Sequence, residues 1–119
     1  MDIRIKTTDY ELTAETSAYL DERLAPIEKA VEKDEAARCE VELGRHTGHS
    51  KQSEDHWFAE LNVITKGNRF RSTAHAASIN AAIDEVKDEI LHTLRKEKRL
   101  HHRLWRKGGA LIKNALRMN

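Results

Sequence analysis

The sequence predicts an α+β fold with the element order βαβββα. In this fold a four-stranded sheet carries two helices on one face; the second of them is a long basic C-terminal helix, and a tail follows it. Apolar residues alternate with polar residues in four short segments and recur every three or four positions in two longer ones. The 119 residues suffice for one hydrophobic core but not for two. We expect the helices to bury one face of the sheet and to leave the other face, of mixed charge, in water.

The first two elements are a strand and a helix. Ile3 and Ile5 alternate with charged residues, which predicts a strand with one buried face. Thr13 is a candidate N-cap for a helix that ends near Lys33. The predicted buried stripe of this helix consists of Leu20, Leu24, Ile27 and Val31.

Three further alternating segments predict three strands. The inward positions are Cys39, Val41 and Leu43 in the second strand, Trp57, Ala59, Leu61 and Val63 in the third, and Phe70 in the fourth. The Lys66-Gly67-Asn68 turn predicts a hairpin between the third and fourth strands. The polar segment HTGHSKQSED, residues 46–55, has no periodicity and predicts a mobile loop.

A second helix is predicted from Ser78 onward. Its apolar stripe consists of Ile79, Ile83, Val86, Ile90 and Leu94. If the helix continues to Lys107 it is about 45 Å long, so its basic half should project beyond the sheet. Gly108-Gly109 then predicts a helix end, followed by a short amphipathic turn that groups Leu111, Ile112, Ala115 and Leu116. We therefore divide the chain into a βαβββα domain, residues 1–100, and a basic C-terminal extension, residues 101–119.

Charge is distributed unevenly along the chain. Residues 1–91 hold 12 Lys and Arg against 19 Asp and Glu, whereas residues 92–119 hold 9 against 1. The formal net charge of +1 conceals this division, which favours a polyanionic partner bound by one end. No apolar run is long enough for a membrane span, and the N-terminus has no signal-peptide pattern, so we expect a cytoplasmic protein.

The basic segment is the strongest functional signal, and it predicts RNA binding through phosphate contacts. The candidate RNA-binding residues there are Arg95, Lys96, Lys98, Arg99, Arg103, Arg106 and Lys107. His101, His102 and Trp105 offer flat surfaces for stacking on unpaired bases. RNA is favoured over duplex DNA because no groove-reading motif occurs. Two alternatives remain, a solvated helix end that serves solubility and a basic amphipathic segment that lies on an anionic membrane.

Other chemistry has weaker support. Cys39 falls at an inward strand position and is interpreted as a core residue rather than a nucleophile. His46, His49 and His56 could hold zinc, but a polar loop with titrating histidines is the better interpretation, so no metal or other cofactor is expected. Glu40, Glu42 and Glu60 lie on an exposed strand face, where partners such as Arg69 and Arg71 explain them as ion pairs. No catalytic motif occurs, and we expect no enzymatic activity.

Several segments together resemble the bacterial ribosome hibernation-promoting factors, also called ribosome-associated translation inhibitors. They are IRIKTTDYELTAETSAYLDERLAPIEKAV, RCEVELG, WFAELNVITKGNRFRSTA and INAAIDEVKDEILHTLRKEK. The resemblance covers roughly residues 1–100 and depends on the order and spacing of these segments.

The resemblance implies a specific function without chemistry. Members of the family bind the small ribosomal subunit in the channel of messenger and transfer RNA, at the decoding centre, and preserve inactive ribosomes under stress. Their RNA contacts come largely from basic residues of the two helices. This implies contacts by Arg95, Lys96, Lys98 and Arg99 here, with Arg23 and Lys29 of the first helix as secondary candidates.

Two features depart from the family pattern. The middle of the second helix is acidic, DEVKDE at residues 84–89, where relatives often carry lysine or glutamine. Glu89 therefore argues against an RNA contact at the middle of this helix. We also expect no counterpart of the separate C-terminal domain that long members have. We therefore expect a short-type, monomeric factor that acts on single ribosomes, competes with messenger and transfer RNA, and lays its tail along the messenger path or adjacent ribosomal RNA. The alternative is a transcription-linked regulator that modulates a sigma factor and uses the basic tail to contact protein or nucleic acid.

Overall fold

The computed structural model describes residues 1–46 and 56–107, with side chains up to Arg103. Its elements follow the predicted order βαβββα. They are β1 (Asp2–Thr8), α1 (Ala14–Ala30), β2 (Arg38–Arg45), β3 (Trp57–Thr65), β4 (Asn68–Ala76) and α2 (Ile79–Lys107). The predicted loop at 46–55, the Gly108-Gly109 helix end and the amphipathic turn after it lie outside the described residues, apart from His46.

The four strands form one sheet in the order β1-β2-β3-β4. β1 pairs parallel to β2 through the α1 crossover, and the other two pairings are antiparallel. The predicted hairpin is confirmed: Thr65 pairs with Asn68, and Gly67 adopts φ +89°, a conformation that favours glycine. The prediction of an α+β fold, with a four-stranded sheet and two helices, is therefore confirmed.

α1 begins as the sequence predicts and ends earlier. The Thr13 hydroxyl accepts a hydrogen bond from the Thr16 N–H at 3.1 Å, which caps the helix. The helix ends at Ala30 rather than near Lys33, because Val31 leaves the helical conformation with φ −111° and ψ 13°. Asp34 then fixes the following turn by accepting hydrogen bonds from the Ala36 and Lys66 N–H groups at 2.9 and 2.8 Å. The turn thus ties the end of α1 to the β3–β4 hairpin.

The core lies between the sheet and the two helices. The predicted stripes of both helices are confirmed, since Leu24 and Ile27 of α1 and Ile83 and Ile90 of α2 are almost fully buried. Cys39 lies in the same core with no exposed surface. Burial raises the pKa of its thiol to about 12, so the thiolate that a nucleophile requires is suppressed.

β1 departs from its prediction. Ile3 is half-buried, but Ile5 is 38% exposed, so the expectation of a strand with one buried face is wrong at Ile5. β1 is an edge strand that pairs only with β2, whereas α2 packs over β3 and β4 at the other side of the sheet. The helical cover ends before it reaches Ile5.

The other face of the sheet carries mixed charge, as predicted, with Phe58 and Ile64 as apolar exceptions. Arg71 and Glu60 form an ion pair at 2.6 Å on this face, which agrees with the predicted cross-strand pairing. Phe58, however, is buried on the same face. Its ring lies across Gly44, where an added Cβ would come within 2.5 Å of the ring. Gly44 therefore provides the flat surface on which Phe58 packs.

Candidate nucleic-acid interface

The C-terminal half of α2 extends beyond the folded domain. The 29 residues of α2 span about 44 Å, and the longest dimension of the described chain is 57 Å. Among the α2 side chains that the structure describes, which end at Arg103, Leu94 is the last buried one. About 20 Å of helix axis therefore lies beyond it. We call residues 95–107 the overhang.

The overhang presents its cations to solvent. The exposed cations are Arg95, Lys96, Lys98, Arg99 and Arg103. Among the side chains that the structure describes, none of these five forms an ion pair. With 3.6 residues per turn, Arg95, Lys96, Arg99 and Arg103 fall within an arc of about 100° on the side opposite Leu94. Arg106 and Lys107 continue the same helix, and their side chains lie outside the described residues.

The single acid of the overhang, Glu97, points toward the domain. Its Oε1 accepts a hydrogen bond from Asn68 Nδ2 at 2.7 Å, and the residue is half-buried. The negative charge thus lies against the β3–β4 hairpin rather than among the outward cations. The outward surface of the overhang is consequently basic, which suits a row of phosphates.

A groove lies beneath the first turns of the overhang. Its apolar floor includes Phe70 and Leu94, and its rim includes Lys66, Lys98 and His101. His101 and His102 are both exposed, as their predicted stacking role requires. The side chain of Trp105, the third predicted stacking residue, lies outside the described residues.

The two candidate RNA-binding residues on α1, Arg23 and Lys29, differ in their surroundings. Arg23 Nε lies 3.2 Å from Asp84 Oδ1, and its guanidinium lies over the Tyr19 ring at 4.6 Å. The Tyr19 side chain, with a smaller contribution from Asp84, raises the pKa of Arg23. Arg23 is thus occupied in joining α1 to α2, which weakens its case as an RNA contact. Lys29 is exposed in the last turn of α1.

Most of the acidic residues of α2 bind the domain itself. Tyr19 donates its hydroxyl to both carboxylate oxygens of Asp84, at 2.8 and 2.7 Å. Ser72, which is buried, donates its hydroxyl to Glu89 Oε2 at 2.8 Å. Asp88 pairs with Lys87. The DEVKDE segment therefore attaches α2 to α1 and to β4.

Sequence reasoning missed the partners of these acids. Ser72 gave a usable signal, because it is the one hydroxyl among the inward positions Phe70, Ser72 and Ala74. A buried hydroxyl needs a hydrogen-bond partner, and the acidic segment of the helix above the strand could supply one.

Among the described side chains, Glu40 and Glu42 have other partners than the predicted Arg69 and Arg71. Glu42 accepts a hydrogen bond from the Thr8 hydroxyl at 2.8 Å, and Glu40 lies 3.6 Å from Arg38. Within residues 1–46 and 56–107 no three histidine, cysteine or acidic side chains cluster as metal ligands would. His49, one of the three loop histidines, lies outside the described residues. In the same ranges no helix is long and apolar enough to cross a membrane.

Comparison with known proteins gives a consistent result. The family model described as "Sigma 54 modulation protein / S30EA ribosomal protein" matches residues 3–101. The N-terminal domain of Thermus thermophilus Protein Y is 22% identical, with a TM-score of 0.65 over 81% of this chain and 98% of that one. A ribosomal subunit interface protein from Coxiella burnetii is 12% identical, with a TM-score of 0.67 over 83% of this chain and 99% of that one. At these identities the two structures show a shared fold. No curated protein matches the chain significantly in sequence.

Proposed function

Because the chain belongs to the sigma 54 modulation protein / S30EA ribosomal protein family, we propose that it binds the small ribosomal subunit and blocks translation. In this proposal the protein occupies the messenger and transfer RNA channel at the decoding centre and preserves inactive ribosomes under stress. The family match confirms the resemblance to ribosome hibernation-promoting factors, and the Coxiella relative is named for the ribosomal subunit interface.

The observation that carries the proposal is the overhang. Its cations are exposed, lie mainly on one side of the helix, and make no ion pair with the described side chains. A helix of this kind can enter an RNA-lined channel, neutralise phosphates and release their counterions. Arg side chains add forked hydrogen bonds to phosphate oxygens.

The charge of the rest of the chain supports one orientation on the RNA. Residues 1–91 carry seven more acids than bases, 19 against 12, so a polyanion repels that part of the molecule as a whole. The overhang therefore enters the RNA surface first, and the acidic first half of α2, residues 79–94, faces away from phosphate in this proposal. Lys29, which is exposed in the last turn of α1, is proposed as a secondary RNA contact.

The proposed mechanism is steric. A bound protein occupies the space of messenger and transfer RNA, so inhibition involves no bond making or breaking. It requires no cofactor, and it assigns the protein to the cytoplasm as a monomer on single ribosomes. The tail after Lys107 is proposed to follow the messenger path or adjacent ribosomal RNA.

A second candidate function comes from the family description, which also names sigma 54 modulation. In that case the overhang contacts a transcription protein or nucleic acid. Only the family description supports this candidate. Binding to ribosomal RNA is supported both by the family description and by the exposed cationic helix.

Co-sedimentation with purified small subunits tests the proposal. We expect binding that weakens steeply between 50 and 200 mM salt and that messenger and transfer RNA displace. Binding that survives both competitors would place the protein outside the decoding channel. Absence of ribosome binding, together with binding to a sigma factor, would favour the second candidate.

A further inference from the structure

Two histidines meet on the open face of the sheet, at the end opposite the overhang. His46 directly follows β2, and His75 lies in β4. Their Nε2 atoms are 3.1 Å apart, with the ring centroids 5.1 Å apart and the ring planes inclined by only 17°. Both side chains are exposed. Because β3 runs between their two strands, the rings meet above β3.

The His pair is held in place by backbone and by packing. The buried ring of Phe58 lies beneath it, and the His46 ring stacks on Phe58 at 4.8 Å between centroids. Gly44 leaves room for that ring, as described above. The His46 N–H donates to the His56 carbonyl at 2.8 Å, which fixes the backbone where β2 ends. The two imidazoles are therefore positioned before any ligand arrives.

The separation of the two nitrogens suits chelation of one metal ion. With metal–nitrogen bonds of about 2.0–2.1 Å, two nitrogens 3.1 Å apart subtend an angle of about 98° at the metal. This angle lies between those of octahedral and tetrahedral coordination. Imidazole nitrogen is a favoured ligand of zinc, copper and nickel ions. The exposed side of the pair leaves the remaining coordination positions to water.

We propose that His46 and His75 form a two-histidine binding site for a divalent transition-metal ion such as Zn²⁺. The site differs from the loop site that the sequence suggested, because the second ligand comes from β4 rather than from His49 or His56. No third side-chain ligand joins the pair among the described residues, so the site is an exposed chelate rather than a closed structural centre. A bound ion links the end of β2 to β4 across β3 and stabilises this end of the sheet.

Calorimetric titration of the full chain with Zn²⁺ in a non-chelating buffer tests the site. We expect one ion per chain, and a loss of affinity of more than about tenfold in His46→Ala and in His75→Ala, since a lone imidazole cannot chelate. The matched control is His92→Ala, an exposed histidine of α2, which should bind Zn²⁺ like the wild type. Mg²⁺, which prefers oxygen ligands, should not bind.

Thermal unfolding gives a second measurement. Zn²⁺ should raise the Tm of the wild type and of His92→Ala, because a ligand of the native state stabilises it, and should leave the Tm of both site variants unchanged. His75→Gln replaces His75→Ala if the alanine variant loses its native circular dichroism. Absence of Zn²⁺ binding to the wild type, or undiminished binding in both site variants, would overturn the proposal. Neither result bears on ribosome binding, which the overhang carries.

Discussion

The two halves of α2 are both helical, but the first half packs on the domain and the second half projects from it into solvent. In residues 79–94 the inward side is apolar and buried, and three of the four acids engage side chains of the domain or of α2 itself. In residues 95–103 every residue is exposed except Glu97, which is half-buried. The first half is held by tertiary contacts, and the second half extends from it as a continuous helix.

The charged side chains of the two halves also differ in whether they have partners within the fold. The acids of the first half accept hydrogen bonds from Tyr19 and Ser72, so they stabilise the fold. The cations of the overhang have no such partner among the described side chains. Net charge alone therefore does not identify a binding surface. Charges that are already paired within the fold are unavailable to a ligand, whereas unpaired charges on a projecting helix are available.

The largest expected difference between the halves is in stability. Ile90→Ala removes a side chain that is 1% exposed, and we expect it to lower the free energy of unfolding by about 2–5 kcal/mol. The matched change in the overhang is Leu100→Ala, at a residue that is 46% exposed, with an expected effect within about 0.5 kcal/mol. Urea unfolding followed by circular dichroism measures both. Equal losses would show that the overhang packs on the domain.

The next effect is on ribosome binding. Replacement of Arg95, Lys96, Lys98 and Arg99 by glutamine should weaken binding to small subunits by about 100-fold or more, because four phosphate contacts and their counterion release are lost. The slope of log K against the logarithm of the salt concentration should become less negative by about 3. Salt-dependent co-sedimentation measures both quantities, and thermal unfolding should change little because these side chains lie outside the core.

The matched control removes the same number of charges from the open sheet face. It replaces Arg4, Lys6, Arg38 and Arg69, all exposed, by glutamine. This variant should keep most of the binding, apart from the modest loss that the removal of any four positive charges causes. If both variants lose binding equally, the overhang is not the interface, and general electrostatic attraction explains the affinity.

The division of α2 was largely predictable from the sequence. The stripe from Ile79 to Leu94 requires a buried partner, and the same spacing ends at Leu94, where the cations begin. A helical pattern without a breaker before Gly108 then predicts a projecting helix. Periodicity carries this information because it is a local property of the chain.

The remaining features depend on contacts between distant segments. Ile5 has the correct alternation for a buried strand face, but its exposure depends on which strands the helices cover. Phe58 occupies an outward position of β3 and is buried because Gly44 and His46 lie across it. The Glu97–Asn68 hydrogen bond likewise depends on the hairpin passing beneath α2. The alternation of apolar and polar residues within one strand contains no information about these contacts between distant segments.

A smaller effect tests whether the acidic half is a structural element. Tyr19→Phe removes the hydroxyl that donates to Asp84, and we expect the free energy of unfolding to fall by about 1 kcal/mol, since Asp84 is partly exposed and water can replace the donor. Ribosome binding should stay within about twofold of the wild type, because the overhang is unaltered. Urea unfolding and co-sedimentation provide the two measurements. A double-mutant cycle with Asp84→Ala, which removes the acceptor oxygens, isolates the pair, and additive effects would show that the hydrogen bond contributes nothing.

The smallest effect concerns the one acid of the overhang. Glu97→Gln removes the negative charge that lies against the β3–β4 hairpin, on the inner side of the overhang, and keeps an oxygen that can accept the hydrogen bond from Asn68. We expect ribosome affinity to rise about twofold to threefold, because the charge lies within roughly a Debye length of the phosphates that the overhang contacts. Glu85→Gln is the control: it makes the same change on the first half of α2, about 18 Å away along the axis, where salt screens the charge. Equal increases in the two variants would mean that the total charge of the chain governs binding, whereas an increase in Glu97→Gln alone locates the RNA beside the overhang.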